Sequence, residues 1–456
     1  MLPDGLSPPE RAGTGRAMVV EPWLRRRAVA AQPGSTEAAR SPSARLEEAV
    51  GLTRAIDLEV VEAGIAPLAE IRPATYLAKG KVEEIAGIVK SRAVDLVVMD
   101  CPVSPVQQRN LEKAWQSKVL DRTGLILEIF GRRAHTREGA LQVEHAHLTY
   151  QKSRLVRSWT HLERQRGGFG FLGGPGETQL ESDRRVIEER IARIENELER
   201  VKRTRKLHRL SRKRVPYPIV ALVGYTNAGK STLFNRLTRA SVVEADMLFA
   251  TLDPTLRAVA LPAGAKAIVS DTVGFISDLP TMLVAAFRAT LEEVIEADLI
   301  LHVRDVAHAD SEAQARDVEK VLRELDVDPD DRHRIVEVWN KIDRLDAESR
   351  SRAMNTAARL GGEEKPILVS ALTGEGIDSL VTAIETRLAQ GRTTLDLLLD
   401  PADGAGVSWL HRNTEVMAKS MRPDGQYAIR VRVDPAKADI VRRKYNGPSN
   451  GHRTYD

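Results

Sequence analysis

Gly224-Tyr225-Thr226-Asn227-Ala228-Gly229-Lys230-Ser231 follows directly on the apolar run Ile219-Val220-Ala221-Leu222-Val223. It meets the phosphate-loop pattern G-x-x-x-x-G-K-[ST] at every fixed position. The physics behind the pattern is specific. A buried parallel strand ends, and the glycines let the chain turn so that successive backbone N–H groups face one concavity. A helix then begins at Lys230 and turns its positive dipole end toward the same place. Thr232-Leu233-Phe234-Asn235-Arg236-Leu237 reads as that helix. In this arrangement Lys230 reaches the β- and γ-phosphates of a nucleotide, and the Ser231 hydroxyl ligates Mg²⁺.

Four further stretches follow in the order a GTPase requires. Ile268-Val269-Ser270-Asp271-Thr272-Val273-Gly274 is an apolar strand running into D-x-x-G. Asp271 is expected to hold Mg²⁺ through water, and the Gly274 N–H to meet the γ-phosphate. Ile335 to Trp339 leads into Asn340-Lys341-Ile342-Asp343, the N-K-x-D pattern. The aspartate accepts both N1–H and the 2-amino N–H of guanine, a pair adenine does not present. Ser370-Ala371-Leu372, after the strand Pro366 to Val369, closes over the guanine O6. Phe249-Ala250-Thr251-Leu252-Asp253-Pro254-Thr255 is a candidate switch loop, in which the Thr251 hydroxyl completes the Mg²⁺ shell. The expected catalytic group is therefore Lys230, Thr251 and Gly274. Phe275 stands where many GTPases carry a glutamine that orients the attacking water. Asn227 offers two readings: a K⁺ ligand that supplies charge near the β–γ bridge, or a brace for the switch loop.

The 456 residues suggest roughly three domains. The apolar fraction of 42% and charged fraction of 29% are those of an ordinary globular chain, with a formal charge of +4. A single cysteine, Cys101, excludes an internal disulfide and fits a reducing compartment. No run reaches the ~18 apolar residues of a membrane span. Met1 to Gly15 lacks the apolar segment of a signal peptide. We therefore expect a cytoplasmic monomer, with Met1 and Met18 both open as starts.

The expected architecture is multidomain α/β. Residues 1–45 read as a disordered tail, rich in Ala, Pro, Gly and Arg. Strand-like and helical pieces alternate over 46–138: Leu58 to Val61, Lys81 to Lys90, Asp95 to Asp100, Pro105 to Ser117 and Lys118 to Leu120. They predict a small parallel α/β domain. Leu141, Leu148, Leu155 and Leu162 recur every seven residues, and Ile187, Ile191, Ile194, Leu198 and Val201 alternate spacings of four and three. Two such stripes on either side of a glycine-rich loop (167–179) predict an antiparallel helical hairpin over 139–214. Its second helix ends in Lys202-Arg203-Thr204-Arg205-Lys206 and Arg212-Lys213-Arg214, either a solvated face or a nucleic-acid contact. Residues 215–390 form the GTPase domain, a mixed, mostly parallel sheet with helices on both faces. A small α+β unit spans 396–445, with Gln426 to Val433 as a half-buried strand, and 446–456 read as a tail.

Outside the G motifs, Ser104 to Glu112, Val119 to Leu127 and Gly173-Gly174-Pro175-Gly176-Glu177-Thr178-Gln179-Leu180-Glu181 resemble the HflX-type GTPases, as does the switch stretch 249–255. The resemblance covers about residues 47–390. It implies a GTPase that binds the large ribosomal subunit, places the hairpin and its glycine loop near the peptidyl-transferase region, and splits stalled or idle ribosomes under stress. Arg154, Arg157, Arg164 and Arg166, with Gly173 to Gln179, are then candidates for rRNA contact, through phosphates and shape. Two other readings stand beside it. One is a regulatory switch whose GTP- and GDP-bound forms select a protein partner. The other is an RNA-remodelling ATPase in the N-terminal domain, where Lys79-Gly80-Lys81 before a helix is the sole anion-site candidate.

Overall fold

The computed structural model describes residues 15–24, 40–165, 175–212, 217–239, 249, 251–252, 254–262, 264–280, 283, 291–390, 393–433 and 435–445. One parallel, one mixed and one antiparallel sheet organise the described residues.

The N-terminal domain has four parallel strands in the order β2-β1-β3-β4: β1 Arg16–Leu24, β2 Glu59–Leu68, β3 Leu96–Met99 and β4 Lys118–Asp121. Helix α1 (Pro42–Arg54) joins β1 to β2, α2 (Lys79–Arg92) joins β2 to β3, and α3 (Pro105–Trp115) joins β3 to β4. Ala49 and Leu52 of α1 pack on one face with Val19, while Val82, Ile85, Leu111 and Trp115 of α2 and α3 pack on the other with Met18 and Val20. The sheet is thus doubly wound, and its winding direction reverses between β1 and β3.

The expectation of a disordered tail over residues 1–45 is overturned for this stretch. Arg16–Leu24 is the second strand of the sheet, with Ala17, Val19 and Val20 at most 1% exposed. The run Met18-Val19-Val20 is short and sits between Arg- and Pro-rich flanks, so local composition hides it. Its burial comes from partners at Glu59–Leu68 and Leu96–Met99, which local pattern does not report. The domain therefore starts before residue 46, and Met18 lies inside β1.

Asp121 caps α4 (Arg122–Arg133), accepting from Gly124 N–H at 2.9 Å. Then α5 (Arg137–Gln165) and α6 (Pro175–Arg212) pair as the expected hairpin. Along α6 the stripe is visible in burial, with Ile194 at 2% and its neighbours Arg193 and Glu195 exposed.

The third unit has six strands in the order β10-β9-β8-β5-β7-β6. They are β5 Ile219–Gly224, β6 Thr255–Ala260, β7 Lys266–Asp271, β8 Leu299–Asp305, β9 Ile335–Asn340 and β10 Ile367–Leu368. All pairs are parallel except β6 with β7. Helices α7 (Lys230–Thr238), α8 (Glu292–Ile295), α9 (Ser311–Glu324), α10 (Ala347–Arg359) and α11 (Ile377–Ala389) connect them. The central strands β5 and β8 are buried almost throughout, as their uninterrupted apolar runs require.

The C-terminal unit begins at β11 (Thr393–Leu399), three residues before the expected boundary at 396. Its antiparallel order is β11-β13-β12, with β12 Glu415–Met421 and β13 Tyr427–Val433. Leu410 of α12 (Gly404–Asn413) and Val441 of α13 (Pro435–Tyr445) pack on the Leu395, Leu397 and Val431 face.

One apolar core runs through the N-terminal and GTPase domains without a break. It joins Ile126, Ile129 and Phe130 of α4 to Phe249, Leu252, Phe275 and Ile276 of the third unit. Phe130 meets Phe249 edge-on, with ring centroids 4.8 Å apart.

Candidate functional site: a nucleotide cleft

The phosphate loop leaves β5 at Gly224. A Cβ there would lie 2.2 Å from the Val303 carbonyl of β8, so only glycine lets the strands pair up to the turn. Gly229, at φ +89°, is needed twice over, because a Cβ would also meet Asn340 Nδ2 at 2.3 Å. Asn227 takes φ +59° at the loop's apex. Lys230 opens α7 and is 6% exposed; its ammonium donates to the carbonyls of Gly224 (3.1 Å) and Tyr225 (2.8 Å). Burial pulls its pKa down to about 8, against the attraction of Asp271. A buried cation held by two carbonyls at the base of the loop is poised to move onto a stronger anion.

Three oxygens expected around Mg²⁺ converge. Ser231 Oγ is 2.9 Å from Thr251 Oγ1 and 2.8 Å from Asp271 Oδ2, and Thr251 Oγ1 is 2.9 Å from Asp271 Oδ2. Asp271 is fully buried, and its Oδ1 has no hydrogen-bond partner. Burial raises its pKa. Two hydroxyls and a desolvated carboxylate with an unused oxygen form a hard-oxygen donor set that fits Mg²⁺.

The switch after β7 is built against the loop. Thr226 N–H donates to Phe275 O at 2.7 Å, and Phe275 N–H to Gly224 O at 3.1 Å. Thr272 Oγ1 donates to Leu222 O at 2.5 Å, and Val273 is buried. At Gly274 a Cβ would lie 2.9 Å from Thr226 Cγ2 and 3.0 Å from both Thr226 Cα and Lys230 Nζ, so glycine lets the backbone come this close to the phosphate loop. Phe275 is 1% exposed and belongs to the core. The position that would hold a water-orienting glutamine points inward.

At the base end, Asn340 bridges two loops. Its Nδ2 donates to Ala228 O at 2.8 Å, and its Oδ1 accepts from Ala371 N–H at 3.0 Å. Lys341 pairs with Asp305 at 2.8 Å, and Ile342 is buried below Asp343. Ser370 is fully buried, and its hydroxyl accepts from Thr373 N–H at 3.1 Å. Together these residues line a cleft of about 310 Å³ running from Ser231 and Thr251 to Asp343 and Leu372. Of the sequence-predicted residues, Ala250 and Asp253 lie outside the described residues.

Sequence reasoning missed three side-chain supports. Tyr225, which it read only as a phosphate-loop residue, is one. Its hydroxyl accepts from Ser277 N–H (2.8 Å) and from Arg40 (2.8 Å), and it bonds to Glu48. Arg236 of α7 is another, donating to the carbonyls of Ala371 (3.0 Å) and Leu372 and so fixing the loop over the base. Arg122 of α4 is the third, reaching Ser277 O and Oγ, both at 2.9 Å, from the other domain. None has a local signature, since each is defined by a partner more than 50 residues away.

The rRNA-contact candidates fare differently. Arg154 is not a surface contact: it pairs with Asp121 at 2.5 Å, donates to Gln108 and to Val103 O, and lies over the Tyr150 ring at 4.4 Å. Its side chain locks α5 to α3 and β4, so the reading of it as an RNA ligand is withdrawn. Arg166, Gly173 and Gly174 lie outside the described residues. For Arg157, Arg164 and Pro175, Gly176, Glu177, Thr178 and Gln179 the helical backbone alone is described.

Four family models match along the chain in the order of these units, the third ending at residue 341 and the fourth beginning at 355, both inside the GTPase unit. They are a GTP-binding GTPase N-terminal region (residues 43–131), a GTP-binding GTPase middle region (133–212), a 50S ribosome-binding GTPase (219–341) and an HflX C-terminal domain (355–454). GTPase HflX of Magnetococcus marinus is 52% identical over 374 residues, covering 82% of this chain and 84% of its own. GTPase HflX of Escherichia coli is 46% identical over 367 residues, covering 79% and 83%. A crystal structure of a GTP-binding protein from Sulfolobus solfataricus with GDP superposes with a TM-score of 0.43 at 22% identity, over 83% of this chain and 99% of that one. With the conserved order of domains and this identity over four-fifths of its length, the chain belongs to the HflX family of GTP-binding, GTP-hydrolysing enzymes.

Proposed function

We propose that this GTPase works on the large ribosomal subunit, docking through its N-terminal domain and hairpin and splitting stalled or idle ribosomes in the cytoplasm under stress. The observation that carries the reading is the buried Phe275. The chain binds GTP in a well-built cleft yet carries Phe275, not a glutamine, directly after D-x-x-G. The hydrolytic step therefore draws on help from a docked partner. The hairpin suits a polyanionic partner: α5 and α6 run about 43 and 57 Å at the helical rise, and α6 ends in a run of Lys and Arg. The 50S ribosome-binding description of the matched family model supports the same partner.

In the cleft, Lys230 leaves its two carbonyls for the β- and γ-phosphates, and Gly274 N–H meets the γ-phosphate. Ser231 and Thr251 would hold Mg²⁺ directly and Asp271 through water; the ion neutralises charge on the phosphates. Asp343 reads the guanine edge, with Ala371 and Leu372 over O6. Asn227, at the loop apex, either ligates K⁺ or braces the switch, and the same experiment separates the two.

GTP turnover is measured with and without large ribosomal subunits, in K⁺ and in Na⁺ buffer, alongside light scattering of intact ribosomes. Strong stimulation by subunits with loss of scattering is expected; stimulation in K⁺ but not Na⁺ assigns the ion to Asn227. Unchanged turnover in both salts with normal GTP affinity would sink the ribosomal reading in favour of a switch selecting a protein partner.

A further inference from the structure

Shortly past Gly274, Ser277 is held by every polar group it has. Its N–H donates to the Tyr225 hydroxyl at 2.8 Å, and its carbonyl accepts from Arg122 Nη2 at 2.9 Å. Its own hydroxyl accepts from Arg122 Nη2 and donates to Glu48 Oε1, both at 2.9 Å. These partners all lie outside the segment: Tyr225 on the phosphate loop, Glu48 on α1 and Arg122 at the start of α4. Ser277 is 6% exposed, so water does not replace a bond that is lost.

The Tyr225 hydroxyl has no freedom left. It accepts from Ser277 N–H and from Arg40 Nη1, each at 2.8 Å, which fills both lone pairs. Its proton therefore goes to Glu48 Oε2. The ring is 4% exposed, with the Arg40 guanidinium 4.8 Å from its centre. Arg40 in turn pairs with Glu48 and with Asp317 of α9, both at 2.8 Å.

Between Gly274 and Ser277 the path is short and packed. Phe275 is tied to the phosphate loop through its N–H and its carbonyl, and Phe275 and Ile276 are each 1% exposed. On the other side Asp271 ends β7. The Gly274 N–H is thus placed from both directions, and a displacement of Ser277 passes along a stretch that cannot absorb it. GDP has no γ-phosphate for that N–H to meet.

We infer that Tyr225 and Arg122 are positioning residues for the γ-phosphate: together they clamp Ser277 so that the Gly274 N–H faces the cleft, and they thereby set the preference for GTP over GDP. This role rests on the Gly274 contact proposed above and is independent of the ribosomal reading. Arg122, Glu48 and Arg40 come from the N-terminal part of the chain. The nucleotide preference is then a property of both docked domains, and by linkage a γ-phosphate in the cleft tightens their junction. Releasing the clamp lowers the fraction of chains competent for GTP and reduces GTP affinity by that fraction, with GDP little affected.

Affinities for a non-hydrolysable GTP analogue and for GDP are measured by nucleotide fluorescence on the full chain, without ribosomes. Tyr225→Phe removes the hydroxyl alone, and Arg40 and Glu48 still pair without it. Arg122→Lys keeps the charge but loses the fork that reaches Asp100 with one nitrogen and Ser277 with the other. We expect each to weaken the analogue by about fivefold or more, and GDP by less than about twofold. Equal weakening of the two nucleotides, or of neither, in folded Tyr225→Phe would overturn the clamp. Should Arg122→Lys not fold, Tyr225→Phe decides alone. Gly274→Ala separates the clamp from the contact it serves, because its Cβ would collide with Thr226 and Lys230 and so weaken the analogue selectively. If it does so while Tyr225→Phe does not, the clamp alone is wrong. If Gly274→Ala leaves the ratio unchanged, the γ-phosphate contact is wrong and the clamp falls with it.

Discussion

At the junction of the N-terminal and GTPase domains, Arg122, Glu48, Asp100, Arg40 and Tyr225 bond to one another away from water; along the hairpin, Arg190–Glu144, Lys152–Glu188 and Arg137–Glu197 bridge α5 and α6 in the open. The chemistry of the pairs is the same, but the consequences differ. A solvated pair gains little over its hydration and contributes up to about 1 kcal/mol. A buried pair has given up its hydration, so each member depends on the other. The junction also reaches the nucleotide site directly, because Tyr225 belongs to the phosphate loop and Ser277 follows the switch. The hairpin charges touch neither.

The sharpest way to break the contrast is Arg122→Met. Removing a cation that is 3% exposed strands buried Asp100 without its hydrogen-bonded counter-charge and leaves Glu48 with Arg40 alone, and we expect a loss of roughly 3–5 kcal/mol. Denaturant unfolding checks it; a loss below about 1 kcal/mol would mean the network is solvated. Next comes Phe249→Ala, which leaves a hole against Phe130 and should cost about 3 kcal/mol. Because Phe249 sits two residues before Thr251, the same variant should also weaken GTP binding several-fold, measured by nucleotide fluorescence.

The junction should further reveal itself through acid. Burial alone would raise the Glu48 pKa, but Arg122, Arg40 and the Tyr225 hydroxyl outweigh it and hold it below the ordinary value of 4.5. A carboxyl with a depressed folded pKa stabilises above its unfolded pKa, and this is lost as pH falls through the lower folded value. Melting temperature should thus drop below about pH 4.5, and Glu48→Gln should flatten that limb. The smallest effect belongs to the hairpin: Arg190→Ala should shift stability by no more than about 0.5 kcal/mol, lost in 1 M salt. A larger change would erase the distinction between the two regions.

The nucleotide site was legible because its requirements are local. Gly224, Gly229, Lys230 and Ser231 must be neighbours for the loop to form, and Asp271 and Asn340 each end an apolar strand. The hairpin was legible for a similar reason, since its stripes are set by the helical period. Strand β1 was not. Its residues are ordinary, and it is held by pairing with strands more than 35 residues away. The bonds of Arg122 were hidden for a similar reason, because Glu48, Asp100 and Ser277 come from three separate parts of the chain. Arg154 misled in the opposite sense: a cation in a basic helix looks like a surface ligand until Asp121 is seen beside it.

Phe275 carries a consequence for how this enzyme can change. Installing the glutamine common elsewhere would place an amide among Tyr225, Ile276 and the α4 core, where it has no room to face the cleft. A single substitution there trades a packed ring for a buried, unpartnered polar group, and so loses stability without gaining a catalyst. Faster intrinsic turnover is closed off at that codon. Selection on the rate of this switch is left to act elsewhere, on the loop around Asn227 and on the surfaces that a partner meets.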